Sequence, residues 1–468
     1  MSNTCLLWFR KDLRLDDNPA LLEAIEHENV TPLFIFDPSI DEYAKIGSAS
    51  LWWLEKSLVS LNKQLNGKLR ILVGNSYDLI FKICEEKKIK YVYWNRCYEP
   101  DRIIADTEIK AKLKDNNIKV KSFNSSLLWE PWNIKNKSGS FYKVFTPFYN
   151  RGCLEADKPR TPLKAPEKNN YFRLEGKFSD YKFKYEESKN KWYVKLKKYW
   201  KPSELNARIT FENFLVNGSD QYADGRNFPS KKNVSRISAY LHWGQISPFK
   251  LWHDAQNNMQ GRSLKTFLSE LGWREFSYHL LYYFPDINKK NLKPKFNSLK
   301  WSNDYNLLDK WKKGKTGYPI VDAGMRELWQ TGYMHNRLRM ITASFLIKNL
   351  LIHWKYGERW FWDCLVDADL ASNSASWQWV AGTGSDAAPF FRIFNPMTQA
   401  QKFDKEGIYI RKYVPEIAKL PNKFIFSPWL ADKQTLKDSN VELGNNYPFP
   451  IIDYTVSRNR ALEEFKKI

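Results

Sequence analysis

The sequence predicts an α/β domain followed by an all-α domain: a doubly wound, parallel five-stranded sheet at the N-terminus, a long linker, then a large helical domain. Three observations carry this. Residues 1–125 alternate short β-rich apolar runs with helical patterns. From about residue 205 apolar residues recur at every third or fourth position. The 468 residues also exceed what one ordinary core holds, so at least two domains are required.

Strands are expected at Cys5–Phe9, Pro32–Phe36, Leu69–Val73, Tyr91–Trp94 and Lys119–Phe123. Asn18-Pro19, a capping residue followed by proline, starts the first helix. Further helical patterns cover Ser48–Leu65, Tyr77–Lys87 and Asp101–Asn116. No G-x-G-x-x-G follows the first strand, so the dinucleotide fingerprint is absent. Phe9-Arg10-Lys11-Asp12-Leu13-Arg14 stands at its C-terminal end instead. Residues 126–204 mix Pro, Asn, Lys and aromatics without a period. Between Lys158 and Glu204, 14 basic residues face 6 acidic ones, the pattern of a solvated surface linker. In the helical domain, 205–468, periodicity is clearest over Ser263–Tyr283, Asp322–Thr331, Met334–Leu351 and Glu358–Leu370.

Composition narrows the function. A formal charge of +22 points to a polyanionic partner, nucleic acid first. The five cysteines are scattered and form no C-x-x-C pair, which argues for reduced thiols and against a disulfide framework or a zinc site. No metal is expected. No apolar run is long enough to span a membrane, and Arg10, Lys11 and Arg14 interrupt any signal-peptide core. A soluble, cytoplasmic monomer is expected. The 20 tryptophans are several times the usual share; they could fill a helical core, stack on bases or a cofactor ring, or carry electrons, and position has to decide.

Gly314-Lys315-Thr316 resembles the end of a phosphate-binding loop, but Asp309 stands where that loop needs glycine, so it is rejected. Glu270, Trp273 and Arg274 share one helical face; alone they read as a salt-bridged surface helix with one tryptophan. Asn336 and Met340 also share a face, flanked by Arg337 and Arg339. An amide and a thioether suit a neutral, partly apolar ligand, although a core methionine is the ordinary reading of such a pair. Asp367 and Asp369 then precede Asn373, Trp377 and Trp379 in an apolar helical region. Carboxylates there need partners, and Arg339 is expected to pair with Asp367. No histidine or nucleophile accompanies them, which argues against hydrolysis.

These segments, with Gly317–Arg326 and Ala387–Pro396, resemble the cryptochrome/photolyase family, most closely its class I cyclobutane pyrimidine dimer photolyases. The resemblance runs from Trp8 to about Pro415. It implies one FAD held in the helical domain. Tyr222 and Ser235-Arg236-Ile237-Ser238 would hold its phosphates and sugar. Val234 stands where many relatives have threonine, with one hydroxyl contact fewer. Asp367, Ala368 and Asp369 would bind the flavin side, with Asn373 facing the ring nitrogen that takes up a proton. Trp377, Trp354 and Trp301 match the family's electron chain. Glu270, Trp273, Asn336, Met340 and Trp379 match its lesion pocket, and Arg226, Arg274 and Arg337 its DNA contacts.

The implied activity is that of a carbon–carbon lyase. An electron passes from excited, reduced FAD to a flipped-out pyrimidine dimer in DNA, and the dimer splits. Asn336 and Met340 disfavour the pyrimidine–pyrimidone lesion, for which relatives usually carry histidines at both places. A second, light-harvesting chromophore (a folate, a deazaflavin or a flavin) is expected near Phe36-Asp37 and Asn95–Asp101. The rivals are a cryptochrome-type blue-light photoreceptor and a light-independent nucleic-acid-binding protein. A chain ending at Ile468 without a long tail, and the amide at Asn373, favour repair.

Overall fold

A computed structural model of the chain describes residues 3–40, 45–183 and 192–468. Five strands, β1 (Thr4–Phe9), β2 (Asn29–Phe36), β3 (Arg70–Val73), β4 (Tyr91–Asn95) and β5 (Lys119–Phe123), form one sheet in the order β3-β2-β1-β4-β5. All neighbours are parallel, with Trp8 opposite both Leu33 and Trp94. Helices cover both faces of such a sheet, so its central strands read as continuous apolar runs. Trp8 and Trp94 are fully buried and meet edge to face at 5.7 Å. The first helix, Pro19–Ala24, is capped by the Asn18 side chain, which accepts from the Leu21 N–H at 3.1 Å.

The sheet changes direction between β1 and β4, and a buried polar network stands at that point. Arg10 Nη1 donates to Asp106 Oδ1 at 2.5 Å, and Asn95 Nδ2 donates to Asp12 Oδ2 at 2.6 Å and Asn18 Oδ1 at 2.7 Å. Lys11 pairs with Glu99. Arg14 reaches the carbonyls of Gly244 at 2.8 Å and Ser125 at 2.8 Å. Gly244 has φ +65°, and a Cβ there would sit 2.0 Å from the Lys11 carbonyl oxygen, so only glycine allows this approach. The Trp8–Arg14 motif is therefore structural cement at the strand's end.

Part of the basic linker is built into the sheet's margin. Val73 N–H donates to Ser179 O, and Tyr181 N–H to Ile71 O, both at 2.9 Å. Arg70 pairs with Asp180 at 2.7 Å, and Leu174 lies in the core. Composition alone suggested a solvated strap. The unpaired backbone groups along β3's outer edge are the physical reason for the difference. Residues 184–191 of the linker lie outside the described residues.

By packing, the chain divides into two compact units: Met1–Val216 with Ser235–Pro285, and Asn217–Val234 with Asp286–Ile468. This division does not coincide with the change of sequence character near 205. The helices Pro248–Asn258 and Gly261–Tyr283 belong to the first unit. In the second, Pro319–Thr331 is ended by Gly332 at φ +69°. Asp322 on that helix is buried and accepts from Thr316 N at 2.7 Å, Gly317 N at 3.0 Å and Tyr447 OH at 2.8 Å. Burial raises its pKa, and these donors partly hold it down. The Gly314–Thr316 segment is thus a turn tied to a carboxylate.

Two helical patterns are interrupted. Met334–Leu351 starts as a helix only at Asn336, where His335 caps it, and widens into a π turn over Phe345–Asn349. Glu358–Leu370 is two helices, Trp354–Cys364 and Leu370–Ala381, parted by five non-helical residues. Asp369 forces the restart by accepting from Ser372 N at 2.8 Å. Among the described residues no helix is long and apolar enough to cross a membrane, and no cluster of three or more His, Cys, Asp or Glu could hold a metal.

Candidate functional site

The break between the last two helices sets out the second unit's polar groups. Arg339 Nη2 donates to both oxygens of Asp367, at 3.0 and 2.8 Å, while its Nε donates to the Met334 carbonyl at 2.7 Å. Burial alone would lower the guanidinium's pKa; the Asp367 carboxylate outweighs it and the pKa rises. Ala368 and Asp369 follow, both buried, and Asp369 caps the helix that carries Asn373 and Trp377.

Asn373 is buried, and its Nδ2 donates to the Glu358 carbonyl at 3.2 Å. The Glu358 carboxyl takes the Ser374 hydroxyl at 3.2 Å, and burial pushes its pKa up to about 7. Glu358 was not foreseen from sequence. It lies on a neighbouring helix, and its contacts with 373 and 374 are non-local. Trp377 is buried against Phe361, with ring centroids 4.9 Å apart at 76°. A Cβ on Gly357 would meet the Trp377 ring at 2.1 Å, so the glycine lets that helix close onto the indole one turn beyond Trp354. Trp354 is fully buried, and its Nε1 donates to Asn291 Oδ1 at 2.8 Å. Trp301 is half-buried beside His353, ring centroids 5.0 Å apart. His353 is a second group missed in the sequence.

On the same unit Asn336 is exposed and Met340 half-buried, one helical turn apart. Arg337 lies 4.4 Å over the Phe403 ring and pairs with Asn227 Oδ1. Burial and the nearby Arg226 lower its pKa. Arg226 lies 5.5 Å over the ring of Tyr222, which is buried. Trp379 is half-buried, and its carbonyl accepts from Ala388 N at 3.1 Å. Val234 is half-buried and ends this unit's short segment.

In the first unit, Arg236 has φ +53° and Ile237 is right-handed, ahead of the exposed Ser238. Successive left- and right-handed residues curl their N–H groups into a concavity suited to an anion. Ser235 precedes them, half-buried, and Arg236 lies 4.6 Å over the Trp200 ring. Glu270 is half-buried. Trp273 stacks on Phe145 with ring centroids 3.7 Å apart at 10°. Arg274 Nη1 is tied to Ser126 O at 2.7 Å and Glu275 Oε1 at 3.1 Å. At the sheet, Phe36 stacks on Tyr181 at 3.6 Å, and Asp37 accepts from Ser76 N at 2.7 Å. The Asn95–Asp101 segment contributes Asn95 and Glu99 to the buried network described above.

Comparison with known proteins agrees along the chain. Residues 5–167 match the family model described as DNA photolyase, and residues 267–467 the one described as FAD binding domain of DNA photolyase. Deoxyribodipyrimidine photo-lyase of Agrobacterium fabrum is 43% identical over 473 residues, 99% of this chain and 98% of the relative. Cryptochrome-1 of Arabidopsis thaliana is 32% identical over 477 residues, 99% of this chain and 70% of the cryptochrome. A solved structure described as a bacterial class III photolyase from Agrobacterium tumefaciens superposes with TM-score 0.95 at 42% identity, over 100% of this chain and 98% of that one. The sequence reading stood nearest class I; the family is the level on which the two descriptions agree.

In the second unit, the buried amide at 373 has the chemistry to meet a ring nitrogen, and Arg339–Asp367 supplies a neutralised polar wall. In the first unit, taken by itself, the left-handed backbone at Arg236 suits an anion such as a phosphate. With motifs, fold and both family models in agreement, the chain belongs to the cryptochrome/photolyase family.

Proposed function

We propose that this protein uses light to repair cyclobutane pyrimidine dimers in DNA. The observation that carries the reading is Asn373, a buried amide one turn before Trp377 on the helix capped by Asp369. An amide can hydrogen-bond a ring nitrogen without delivering a proton to it, which suits a flavin kept reduced for electron donation. When bound, the reduced FAD would supply, on absorbing light, the electron that splits the dimer.

The chain's own residues bind, orient and exclude water. Tyr222, Ser235, Arg236, Ile237 and Ser238 would hold the phosphates and sugar, and Arg339, Asp367, Ala368 and Asp369 the flavin side. Asn336, Met340 and Trp379 are assigned to the dimer, because an amide, a thioether and an indole match a neutral, partly apolar ligand. Trp273 is assigned a dimer contact on the same chemical grounds, and Glu270 one as a hydrogen-bond acceptor for a base edge. Arg226 and Arg337 would take DNA phosphates. Arg274 is assigned to DNA as well, with its Nη1 held in place by Ser126 O and Glu275 Oε1. Trp377, Trp354 and Trp301 would re-reduce oxidised flavin.

The test is affinity in the dark. An oligonucleotide duplex with one thymine dimer should bind more tightly than its undamaged twin, and both should weaken as salt rises. Replacing Met340 with alanine should narrow that preference while FAD stays bound. Equal affinity for the two duplexes would move the assignment to a photoreceptor.

A further inference from the structure

The His353 ring lies against two of the tryptophans assigned to the electron chain. Its ring centroid lies 5.0 Å from that of Trp301, with 59° between planes, and 5.5 Å from that of Trp354, with 32°. The segment is pinned there. His353 N–H donates to Asn303 Oδ1 at 3.0 Å, and Ser302 N–H donates to the Leu351 carbonyl at 2.8 Å, so the stretches carrying Trp301 and Trp354 are stitched together. We propose that His353 is a bridging residue, whose ring carries the electronic coupling for the last hop, from Trp301 to oxidised Trp354.

Three neighbours shape that hop. Trp354 donates its indole N–H to Asn291 Oδ1 at 2.8 Å, and an amide oxygen is too weak a base to take the proton, so the oxidised indole keeps it. Lys355 Nζ lies 5.8 Å from the Trp354 ring, where its charge disfavours a second positive charge on Trp354. Both effects push the vacancy outward. Burial, followed by Lys355, lowers the His353 pKa to about 4, so its ring is neutral near pH 7 and adds no opposing charge. In the step one electron leaves Trp301 and restores Trp354; no bond forms or breaks and no proton moves. A small-molecule thiol in solution then supplies one electron to oxidised Trp301, releasing its proton to water and becoming a thiyl radical.

This inference rests on the electron-chain reading, and the test separates the two. His353 also caps its helix, since Lys355 N–H donates to His353 Nδ1 at 3.2 Å. His353→Asn keeps a capping acceptor and loses the ring; His353→Phe keeps a flat ring and loses the cap. The probe is the FAD-loaded protein with its flavin oxidised, flash-excited, with tryptophan-radical absorbance followed in time. Flavin content and melting temperature are recorded for each variant. The expected result is a slower last hop and a loss of long-lived radical in His353→Asn, with near-normal kinetics in His353→Phe. Normal kinetics in His353→Asn with a slowed His353→Phe would reduce His353 to a helix cap and overturn the bridge. If Trp301→Phe and Trp354→Phe both leave the long-lived radical intact, the chain reading itself fails.

Discussion

At the end of β1, Arg10, Asp12, Asn18, Asn95 and Asp106 are all buried, and the Arg10–Asp106, Asn95–Asp12 and Asn95–Asn18 bonds measure 2.5 to 2.7 Å. Around the Leu370–Ala381 helix, Asp367, Asp369 and Asn373 are buried too, but Arg339, Met340 and Trp379 stay half-exposed and Asn336 is open. In the first set the members bond mainly to one another, with the buried Arg10 Nε left over. The second offers hydrogen-bonding groups, a thioether and an indole with surface still to cover. Both sets contain Arg, Asp and Asn, so residue type alone does not distinguish scaffold from site; the partners and the exposure do.

Removing one cation from each region should sharpen that contrast. Arg10→Ala leaves the buried Asp106 carboxylate without its guanidinium, with Trp94 Nε1 still donating to it at 3.2 Å, and should cost about 3–5 kcal/mol, read by denaturant unfolding. Arg339→Ala leaves Asp367 without its guanidinium but beside a half-exposed position, so the stability loss should be smaller. Its main effect should be on FAD bound per chain, measured by flavin absorbance after purification. Full FAD retention in Arg339→Ala would return that pair to the scaffold. Trp377→Phe should cost about 1–2 kcal/mol as a partly filled cavity. It should nonetheless abolish most flavin photoreduction with FAD still bound; a normal rate would make Trp377 a packing residue.

A further effect appears only as a dependence on pH. Glu358 titrates at about 7 when folded against an ordinary 4.5, because burial disfavours its charged form. The folded state therefore holds a proton that the unfolded state releases, and stability falls as pH rises from about 4.5 through 7. Glu358→Gln should remove that contribution, on the order of a few kcal/mol at most. Unfolding curves at pH 5 and pH 8 should then differ less in the variant than in the wild type. An unchanged difference would show that Glu358 is ionised in the folded protein.

The α/β half was legible because strand and helix signals are local. β1, β2, β3, β4 and β5 lie within three residues of their expected bounds, and Asn18-Pro19 starts its helix as the cap-proline pair requires. Elsewhere periodicity misled. Apolar spacing ran Glu358–Leu370 together, although Asp369 and Ser372 carried a capping signal that splits it. The linker's place along β3 was hidden because its charge pattern does not reveal which edge it meets. Arg339 and Asp367 could be paired from the need to neutralise a carboxylate in an apolar stretch. His353 and Glu358 could not be singled out, because their roles arise where separate segments meet, Trp301 with Trp354 and Glu358 with Ser374.

The most direct measurement is repair itself. Reduced, FAD-loaded protein is mixed with an oligonucleotide carrying one cyclobutane thymine dimer, and thymine absorbance is followed under near-ultraviolet or blue light beside a dark control. Thymine absorbance should recover in the light only. No recovery from protein whose flavin is bound and photoreducible would contradict the repair reading.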